Sequence, residues 1–327
     1  MLDFQEDYLL KELKKQKPKK VLVQLPEGIK TKAIELKEKI EKLGIEVVFS
    51  GETVWGGCCL AVDEAKNIGA DLIVHFGHSE YVKSKTPVIY VEMQDRLDLT
   101  KILNKSLDKL KKFKTLGLSY SVQHKEDSQK IKKFYEDAGK KVIFSKNKGR
   151  VNYEGQIIGC EYSGLKEIQE KVEAFLIVGN RFHSLGAALA LNKPVYLLDV
   201  YNDEVSEMSE AKNKIATQRF AAIEKAKKAQ NFGIIIEAKI GQKFGNQDEL
   251  IKKLKKAGKN PILITMNEIS QDKLTNFYNI DAFIELACPR IAIDDFAIYK
   301  KPLITFKEAL VVIGEKSWEE LLEEGML

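Results

Sequence analysis

Cysteine is scarce in this sequence, and no two cysteines have the spacing of a common metal-binding motif. The 327 residues contain four cysteines, at positions 58, 59, 160 and 288. Neither a CxxC pair nor a CxxxCxxC loop is present, so local spacing predicts neither a zinc ribbon nor the usual radical cysteine loop. Taken singly, each cysteine is more typical of a small buried residue than of a metal ligand.

Long apolar runs and strong net charge are also absent. No stretch approaches the roughly 18–20 apolar residues that a membrane-spanning helix needs, and the N-terminal segment mixes acids and lysines into its apolar residues, unlike a signal peptide. The 53 basic and 48 acidic residues leave a net charge of +5, without the clustered positive charge of a dedicated nucleic-acid-binding protein. We therefore expect a cytoplasmic protein that binds neither membranes nor nucleic acid and has no structural disulfides.

What the sequence does contain is one pattern of elements repeated three times. Each third opens with an apolar strand, continues through a turn into an amphipathic helix, and returns at once to a second strand. The three helices end at Gly44, Gly139 and Gly258, where a left-handed helix end is expected. Each third then adds another apolar run and closes with a proline-led strand.

This alternation of strands and helices predicts the fold class. The strands are rich in Val, Ile and Leu with little polar alternation, which is typical of parallel β-α-β units whose strands are buried on both faces. We predict an α/β protein of three repeated small α/β domains, each a roughly four-stranded parallel sheet with flanking helices, arranged around a pseudo-threefold axis. The predicted domains cover residues 1–100, 101–210 and 211–327.

The cysteines fall one position per repeat, with Cys58 and Cys59 in the first, Cys160 in the second and Cys288 in the third. Each position follows the carboxyl end of a predicted strand, the edge at which open parallel sheets bind ligands. Three interpretations remain open: buried core thiols, a structural zinc site, or an iron–sulfur cluster. A cluster held by only three thiolates would leave one iron free to bind a substrate.

Several motifs together resemble one family. GETVWGGC, IGCEYSG and ACPRIAIDD carry the cysteines, and PEGIK, HFGHS and the GQ of AKIGQ accompany them. They resemble the archaeal diphthamide-synthesis family, the 2-(3-amino-3-carboxypropyl)histidine synthases, over Val21 to about Val311. Any one motif alone is weak, whereas the three cysteine motifs in this order are specific.

The resemblance implies a transferase that performs the first step of diphthamide biosynthesis as a homodimer. In that family one cysteine per domain binds a 4Fe–4S cluster, whose open iron takes S-adenosylmethionine. Reduction by one electron, from a donor that the sequence does not identify, cleaves the bond from sulfur to the γ-carbon. The resulting 3-amino-3-carboxypropyl radical adds to C2 of a histidine imidazole of translation elongation factor 2, the protein substrate, and 5′-methylthioadenosine is released.

The resemblance also assigns residues. Cys58, Cys160 and Cys288 are the predicted cluster ligands, and Cys59 is a neighbour of the first. Position in the repeats, rather than the resemblance, predicts three contacts of S-adenosylmethionine. Gln242, at the carboxyl edge of its sheet, is predicted to bond the amino-acid end of that molecule, and His78, at the same edge of its own sheet, to contact either the cofactor or the target histidine. Arg290, two residues after Cys288, is predicted to neutralise cluster or carboxylate charge. No catalytic residue is predicted from the sequence.

Three other functions compete with this interpretation. A non-catalytic, cluster-binding or supporting subunit would be expected to lack one ligand, whereas this chain keeps all three. A Lewis-acid enzyme like quinolinate synthase also joins three α/β repeats around three cysteines, but the sequences around its cysteines differ from these. A zinc-stabilised α/β ligand-binding protein would be separated from the radical enzyme by its metal content.

Overall fold

The computed structural model describes residues 2–327 and contains three mainly parallel sheets. The strands of each sheet come from one predicted third of the chain, while the domain boundaries themselves stay a prediction. Elements of the first third, in chain order, are β1 (Leu2–Asp3), α1 (Glu6–Gln16), β2 (Lys20–Gln24), α2 (Ala33–Glu41), β3 (Glu46–Phe49), α3 (Val62–Asn67), β4 (Leu72–Phe76), β5 (Val88–Val91) and β6 (Gln94–Asp95). Strands β3-β2-β4-β5 form a parallel sheet in that order, and the two-residue strands β1 and β6 pair separately.

The second third builds a larger sheet than the sequence predicted. Its elements are α4 (Thr100–Leu110), β7 (Thr115–Tyr120), α5 (Ser128–Asp137), β8 (Lys141–Phe144), α6 (Ser163–Lys166), β9 (Ala174–Gly179), α7 (Arg181–Ala190), β10 (Val195–Asp199) and β11 (Glu204–Glu207). The order is β11-β10-β9-β7-β8, and β11 is antiparallel to β10. This fifth strand escaped prediction because its sequence, EVSE, lies at an exposed edge and has no apolar run.

The last third returns to four parallel strands. Its elements are α8 (Ser209–Lys227), β12 (Asn231–Glu237), α9 (Gln247–Lys256), β13 (Asn260–Met266), α10 (Gln271–Thr275), β14 (Ala282–Glu285), α11 (Pro289–Asp294), β15 (Leu303–Thr305), α12 (Phe306–Val312) and α13 (Trp318–Glu324). The strand order β13-β12-β14-β15 repeats that of the first sheet and of the parallel part of the second. The mixed α/β class is therefore confirmed; the pseudo-threefold axis stays a prediction.

Each sheet lies between two apolar cores, one on either face, which is why its strands read as continuous apolar runs. The three glycines predicted to end helices do so with positive φ: +75° at Gly44, +79° at Gly139 and +74° at Gly258. A left-handed backbone costs glycine little because it has no Cβ. Across residues 2–327, none of the helices combines the length and the apolar character needed to cross a membrane.

A buried ion pair joins the helices of the third sheet. The side chains of Arg219 in α8 and Glu308 in α12 are 1% and 2% exposed. The guanidinium donates to both carboxylate oxygens, at 2.8 and 2.6 Å, and to the carbonyls of Ala292 and Leu303. Because Ala292 lies in α11, which Cys288 precedes directly, this pair also fixes the helix that follows the third cysteine.

We predict that Arg219→Met lowers the free energy of unfolding by about 3–5 kcal/mol, since it leaves a buried carboxylate without its partner. The double variant Arg219→Met with Glu308→Gln removes the uncompensated charge and is expected to regain part of the loss. Urea denaturation of the three proteins measures both effects. A single variant as stable as the parent would contradict the structural role given to the pair.

Candidate metal-cofactor site

One cavity of about 740 Å³ opens where the loops of the three sheets meet. Cys58, Cys160 and Cys288 all line it. Its volume lies within the range of small-molecule and cofactor sites, roughly 300–1,000 Å³. The structure thus brings one cysteine from each third of the chain to a single cavity, the convergence that the repeat pattern suggested.

Each cysteine lies in the segment that follows a strand of its sheet, and only Cys288 lies close to the strand end. Cys58 lies in a short 3-10 turn, Gly57–Cys59, that follows β3. Cys160 lies in the loop after β8, inside an isolated β-bridge between Ile158 and Glu161. Cys288 caps α11, whose first residue is Pro289, a position that favours proline because the first helical N–H needs no partner in the helix.

The loop of Cys58 packs directly against the third repeat. A Cβ added to Gly241 would lie 2.5 Å from the Cα and from the carbonyl oxygen of Cys58. Only glycine fits that approach. The adjacent residue, Gln242, is buried, and its amide end lies 3.5 Å from Cys58 Sγ and 3.2 Å from Cys59 Sγ. Gln242, which the sequence predicted to contact the cofactor, therefore also lies next to the thiol of Cys58.

The other side of the Gln242 amide faces an acidic side chain. Hydrogen bonding is satisfied when the amide nitrogen donates to the Glu237 carboxylate and the carbonyl oxygen turns towards the two thiols. Burial raises the pKa of Glu237, and Lys239 forms an ion pair with it at 3.2 Å. Gln242, Glu237 and Lys239 all line the cavity, so one wall is polar and holds charges of both signs.

Arg150 connects all three thirds of the chain beside the cavity. Its guanidinium donates to the hydroxyl of Tyr81 at 2.6 Å and to the carbonyl of Gly241 at 3.1 Å. The same hydroxyl lies 3.4 Å from Cys160 Sγ. One arginine of the second third thus fixes the approach of the third repeat to Cys58 and the tyrosine that contacts Cys160.

Arg290 plays a comparable part at the loop of Cys160. It is 3% exposed and donates to Asp294 through two nitrogens, at 2.6 and 2.9 Å. Its remaining terminal nitrogen donates to the carbonyls of Gly159, directly before Cys160, and of Phe182. The Phe182 ring lies against the guanidinium, 3.9 Å from centroid to carbon. Arg290 therefore joins the helix after Cys288 to the loop of Cys160.

The three cavity-lining thiols are held protonated by their surroundings. The pKa of Cys58 is raised by its hydrogen bond with Cys59 and by burial, and further by Cys160. Burial raises the pKa of Cys160 and of Cys288, and for Cys288 Glu285 and then Cys160 add to the effect. Metal ligation requires the thiolate form, so binding of a metal cofactor by these thiols would release protons.

The number and spacing of the thiols determine whether the cavity suits a single metal ion or an iron–sulfur cluster. All four cysteines are free thiols. Within residues 2–327, no three His, Cys, Asp or Glu side chains stand close enough together to hold a single metal ion. Ligands of one zinc ion each lie about 2.3 Å from the metal, whereas an iron–sulfur cluster takes each thiolate on a separate iron and so accepts a wider spacing. Three thiols around one cavity fit such a cluster.

His78, the remaining predicted contact, lies on the cavity wall and belongs to a chain of hydrogen bonds. Its Nδ1 lies 3.0 Å from Nε2 of His75, and Nδ1 of His75 lies 3.2 Å from Oε1 of Gln24. Burial lowers the pKa of His78 to about 4 and that of His75 well below its usual value. Both rings are therefore neutral at pH 7.

Sequence reasoning missed Tyr81, Arg150, His75 and Gln24. A signal for Arg150 was present, because only five of the 53 basic residues are arginine. Arginine has a planar fork of donors that lysine lacks, so a lysine-rich chain that uses it rarely places it where several acceptors must be joined. Arg150, Arg219 and Arg290 all have that role here. No comparable signal marked Tyr81.

The fold and the site together define a class: an α/β protein with three sheets whose loops place one thiol each around a cofactor-sized cavity. The family profile described as "Putative diphthamide synthesis protein" matches residues 25–322. The chain therefore belongs to the diphthamide-synthesis family.

Individual relatives agree over almost the whole chain. The 2-(3-amino-3-carboxypropyl)histidine synthase of Pyrococcus horikoshii is 34% identical over 322 residues, which cover 96% of this chain and 92% of that protein. The synthase of Methanocaldococcus jannaschii is 30% identical and is covered to 85%. The crystal structure of Dph2 from Pyrococcus horikoshii with a 4Fe-4S cluster superimposes with a TM-score of 0.89 at 33% identity, covering 97% of this chain and 93% of that one.

We predict that Gly241→Ala reduces cluster binding, because the added methyl group must displace the backbone of Cys58 and such overpacking costs about 1–3 kcal/mol. Iron content and visible absorption after anaerobic reconstitution measure the loss. Gly51→Ala is the matched control, since a Cβ there meets no atom within 4 Å. Equal iron content in the two variants would show that the close approach at Cys58 does not shape the site.

Proposed function

We propose that this chain is a 2-(3-amino-3-carboxypropyl)histidine synthase that performs the first step of diphthamide biosynthesis. It transfers the 3-amino-3-carboxypropyl group from S-adenosylmethionine to C2 of a histidine imidazole on translation elongation factor 2. Because that substrate works in translation, we place the reaction in the cytoplasm. The observation that carries the proposal is the meeting of three thiols, one from each third of the chain, at one cavity.

Cys58, Cys160 and Cys288 would hold the cluster, and Cys59 would remain a free neighbour. When bound, the cluster supplies the electron that cleaves the bond between sulfur and the γ-carbon of S-adenosylmethionine. The chain's own task is to orient that substrate, since only one of three carbon–sulfur bonds may break.

Gln242, His78 and Arg290 are proposed to contact S-adenosylmethionine. All three line the cavity. The nitrogens of Arg290 are engaged by Asp294, Gly159 and Phe182, so we propose that it faces the substrate carboxylate as a positive charge held in place and partly balanced by Asp294. Gln242 can offer the substrate its amide only by giving up contacts that it already makes.

A homodimer is proposed on the basis of one exposed strand. Strand β13 is the edge of the third sheet and pairs only with β12 among the strands described. Ile262 and Leu263 point to opposite faces of this edge, and each is 44% exposed. An uncovered apolar edge is a template for pairing, and two copies related by a twofold axis can pair it antiparallel with itself.

The transfer itself is tested with archaeal elongation factor 2. Anaerobically reconstituted protein, dithionite and S-adenosylmethionine should add one 3-amino-3-carboxypropyl group to a single histidine, located by peptide mass spectrometry. A target protein in which that histidine is replaced should remain unmodified. No modification by protein with a full complement of iron would overturn the proposed function.

Alanine at position 58, 160 or 288 is predicted to remove the cluster, because two thiolates cannot hold the four-iron core that three hold. Iron content should fall to a small fraction of the parent value, and transfer should be lost with it. Cys59→Ala is the matched control and should keep most of the iron, although its hydrogen bond with Cys58 is lost. Iron loss in Cys59→Ala equal to that in Cys58→Ala would contradict the ligand assignment.

Replacing Ile262 by lysine is predicted to convert the dimer into a monomer, since the new charge would have to be buried in the paired edge. Light scattering coupled to gel filtration measures the mass in solution. Ile298→Lys is the control, at an apolar position that is also exposed but lies outside β13. A variant that remains dimeric would place the interface elsewhere.

A further inference from the structure

The buried side chain of Gln24 has an orientation that the backbone determines. Its Nε2 donates to the carbonyl of Cys59 at 2.9 Å, and its Oε1 accepts from the N–H of Ala61 at 2.9 Å. A backbone carbonyl can only accept and a backbone N–H can only donate, so the two ends of the amide cannot be exchanged. Gln24 therefore presents an acceptor oxygen to any third group that approaches Oε1.

That third group is His75, whose Nδ1 lies 3.2 Å from Gln24 Oε1. Since the oxygen accepts, the proton of the neutral His75 ring is on Nδ1, and its Nε2 carries a lone pair. This Nε2 lies 3.0 Å from Nδ1 of His78. A lone pair on one side of that contact requires a proton on the other, so Nδ1 of His78 is the donor.

The same reasoning determines the protonation of the second ring nitrogen of His78. With its single proton on Nδ1, a neutral His78 has an unprotonated Nε2. His78 lines the cavity that the three thiols share, whereas His75 is fully buried. Through His75, the contacts of Gln24 thus hold the His78 imidazole in the tautomer that can accept a proton at the cavity wall.

We propose that Nε2 of His78 accepts the proton that leaves C2 of the target imidazole during transfer. This role rests on the proposed function. His75 and Gln24 are positioning residues, because they fix the tautomer without touching the substrate.

The step balances without any further reagent. A bond forms between the γ-carbon of the transferred group and C2 of the target imidazole, and the C2–H bond breaks. The proton goes to Nε2 of His78, and the remaining electron returns to the oxidised iron–sulfur cluster that supplied one electron at the start. The sulfur leaves as 5′-methylthioadenosine. Overall, a sulfonium cation and an imidazole give a thioether, a substituted imidazole and one proton.

A second histidine, His183, competes for this role. It also lines the cavity, and its Nδ1 lies 2.9 Å from Oδ1 of Asn180. The Asn180 side chain is exposed and has one backbone contact, from the N–H of His183 at 3.3 Å. Its amide is therefore less firmly oriented than that of Gln24, and the geometry favours His78.

The tautomer is tested first, on protein without metal. Nitrogen-15 labelling of histidine gives signals from only four residues, and long-range nitrogen–proton NMR separates the two tautomers. We expect Nδ1–H for His78 and His75 in the parent. His75→Phe should release His78 from that tautomer. A proton on Nε2 of His78 in the parent would overturn the proposal.

The role in transfer is tested by the ratio of modified elongation factor 2 to 5′-methylthioadenosine. In His78→Asn, this ratio should fall about 100-fold or more, the usual contribution of a general base, and because it is taken per 5′-methylthioadenosine formed, a weaker contact with S-adenosylmethionine does not change it. His75→Phe should lower the same ratio by less, and His124→Phe, outside the cavity wall, should leave it unchanged.

Three further results would decide whether His78 accepts the proton. An unchanged ratio in His78→Asn, or a loss confined to His183→Asn, would overturn the role given to His78. A parent protein with a full cluster that forms no 5′-methylthioadenosine would overturn the proposed function and this role with it, and the NMR result would show separately whether the tautomer had been inferred correctly.

Discussion

The position of the three thiols depends on hydrogen bonds that two arginines make between parts of the chain far apart in sequence. Arg150 joins Tyr81 of the first third to Gly241 of the last. Arg290 joins the helix after Cys288 to the carbonyl before Cys160. A cofactor held by one residue from each repeat requires that the repeats not slide against one another. Rigid guanidinium forks with several fixed acceptors supply that constraint better than flexible lysines would.

The same interface explains why small residues lie beside the thiols. The backbone of Gly241 touches that of Cys58, and a Cβ at Gly159 would overlap the ring of Phe182. Close packing of the loops leaves the cysteine side chains directed at shared space. Burial then disfavours free thiolates, as the raised pKa of Cys160 shows. Metal binding by these thiols would therefore be coupled to proton release.

Features that depend on local sequence were predictable, and features that depend on contacts between repeats were not. The strands, the helices that end at Gly44, Gly139 and Gly258, and the loops of the cysteines follow from apolar periodicity and turn residues. No local sequence pattern marks the link from Arg150 through Tyr81 to Cys160. The same holds for the hydrogen bonds that run from Gln24 through His75 to His78. Strand β11 was missed because nothing in a polar edge strand distinguishes it from a loop. Arg290 was predicted as a charge near the cofactor, but its extensive bonding to the loop of Cys160 appears only in the folded chain.

The identity of the nucleoside released from S-adenosylmethionine tests the central claim most directly. Protein reconstituted with iron and sulfide under anaerobic conditions is reduced with dithionite, and the products are separated by liquid chromatography and mass spectrometry. The proposed function predicts 5′-methylthioadenosine, formed by cleavage at the γ-carbon. 5′-Deoxyadenosine as the main product would contradict the account, because the substrate would then present a different carbon–sulfur bond to the same three cysteines.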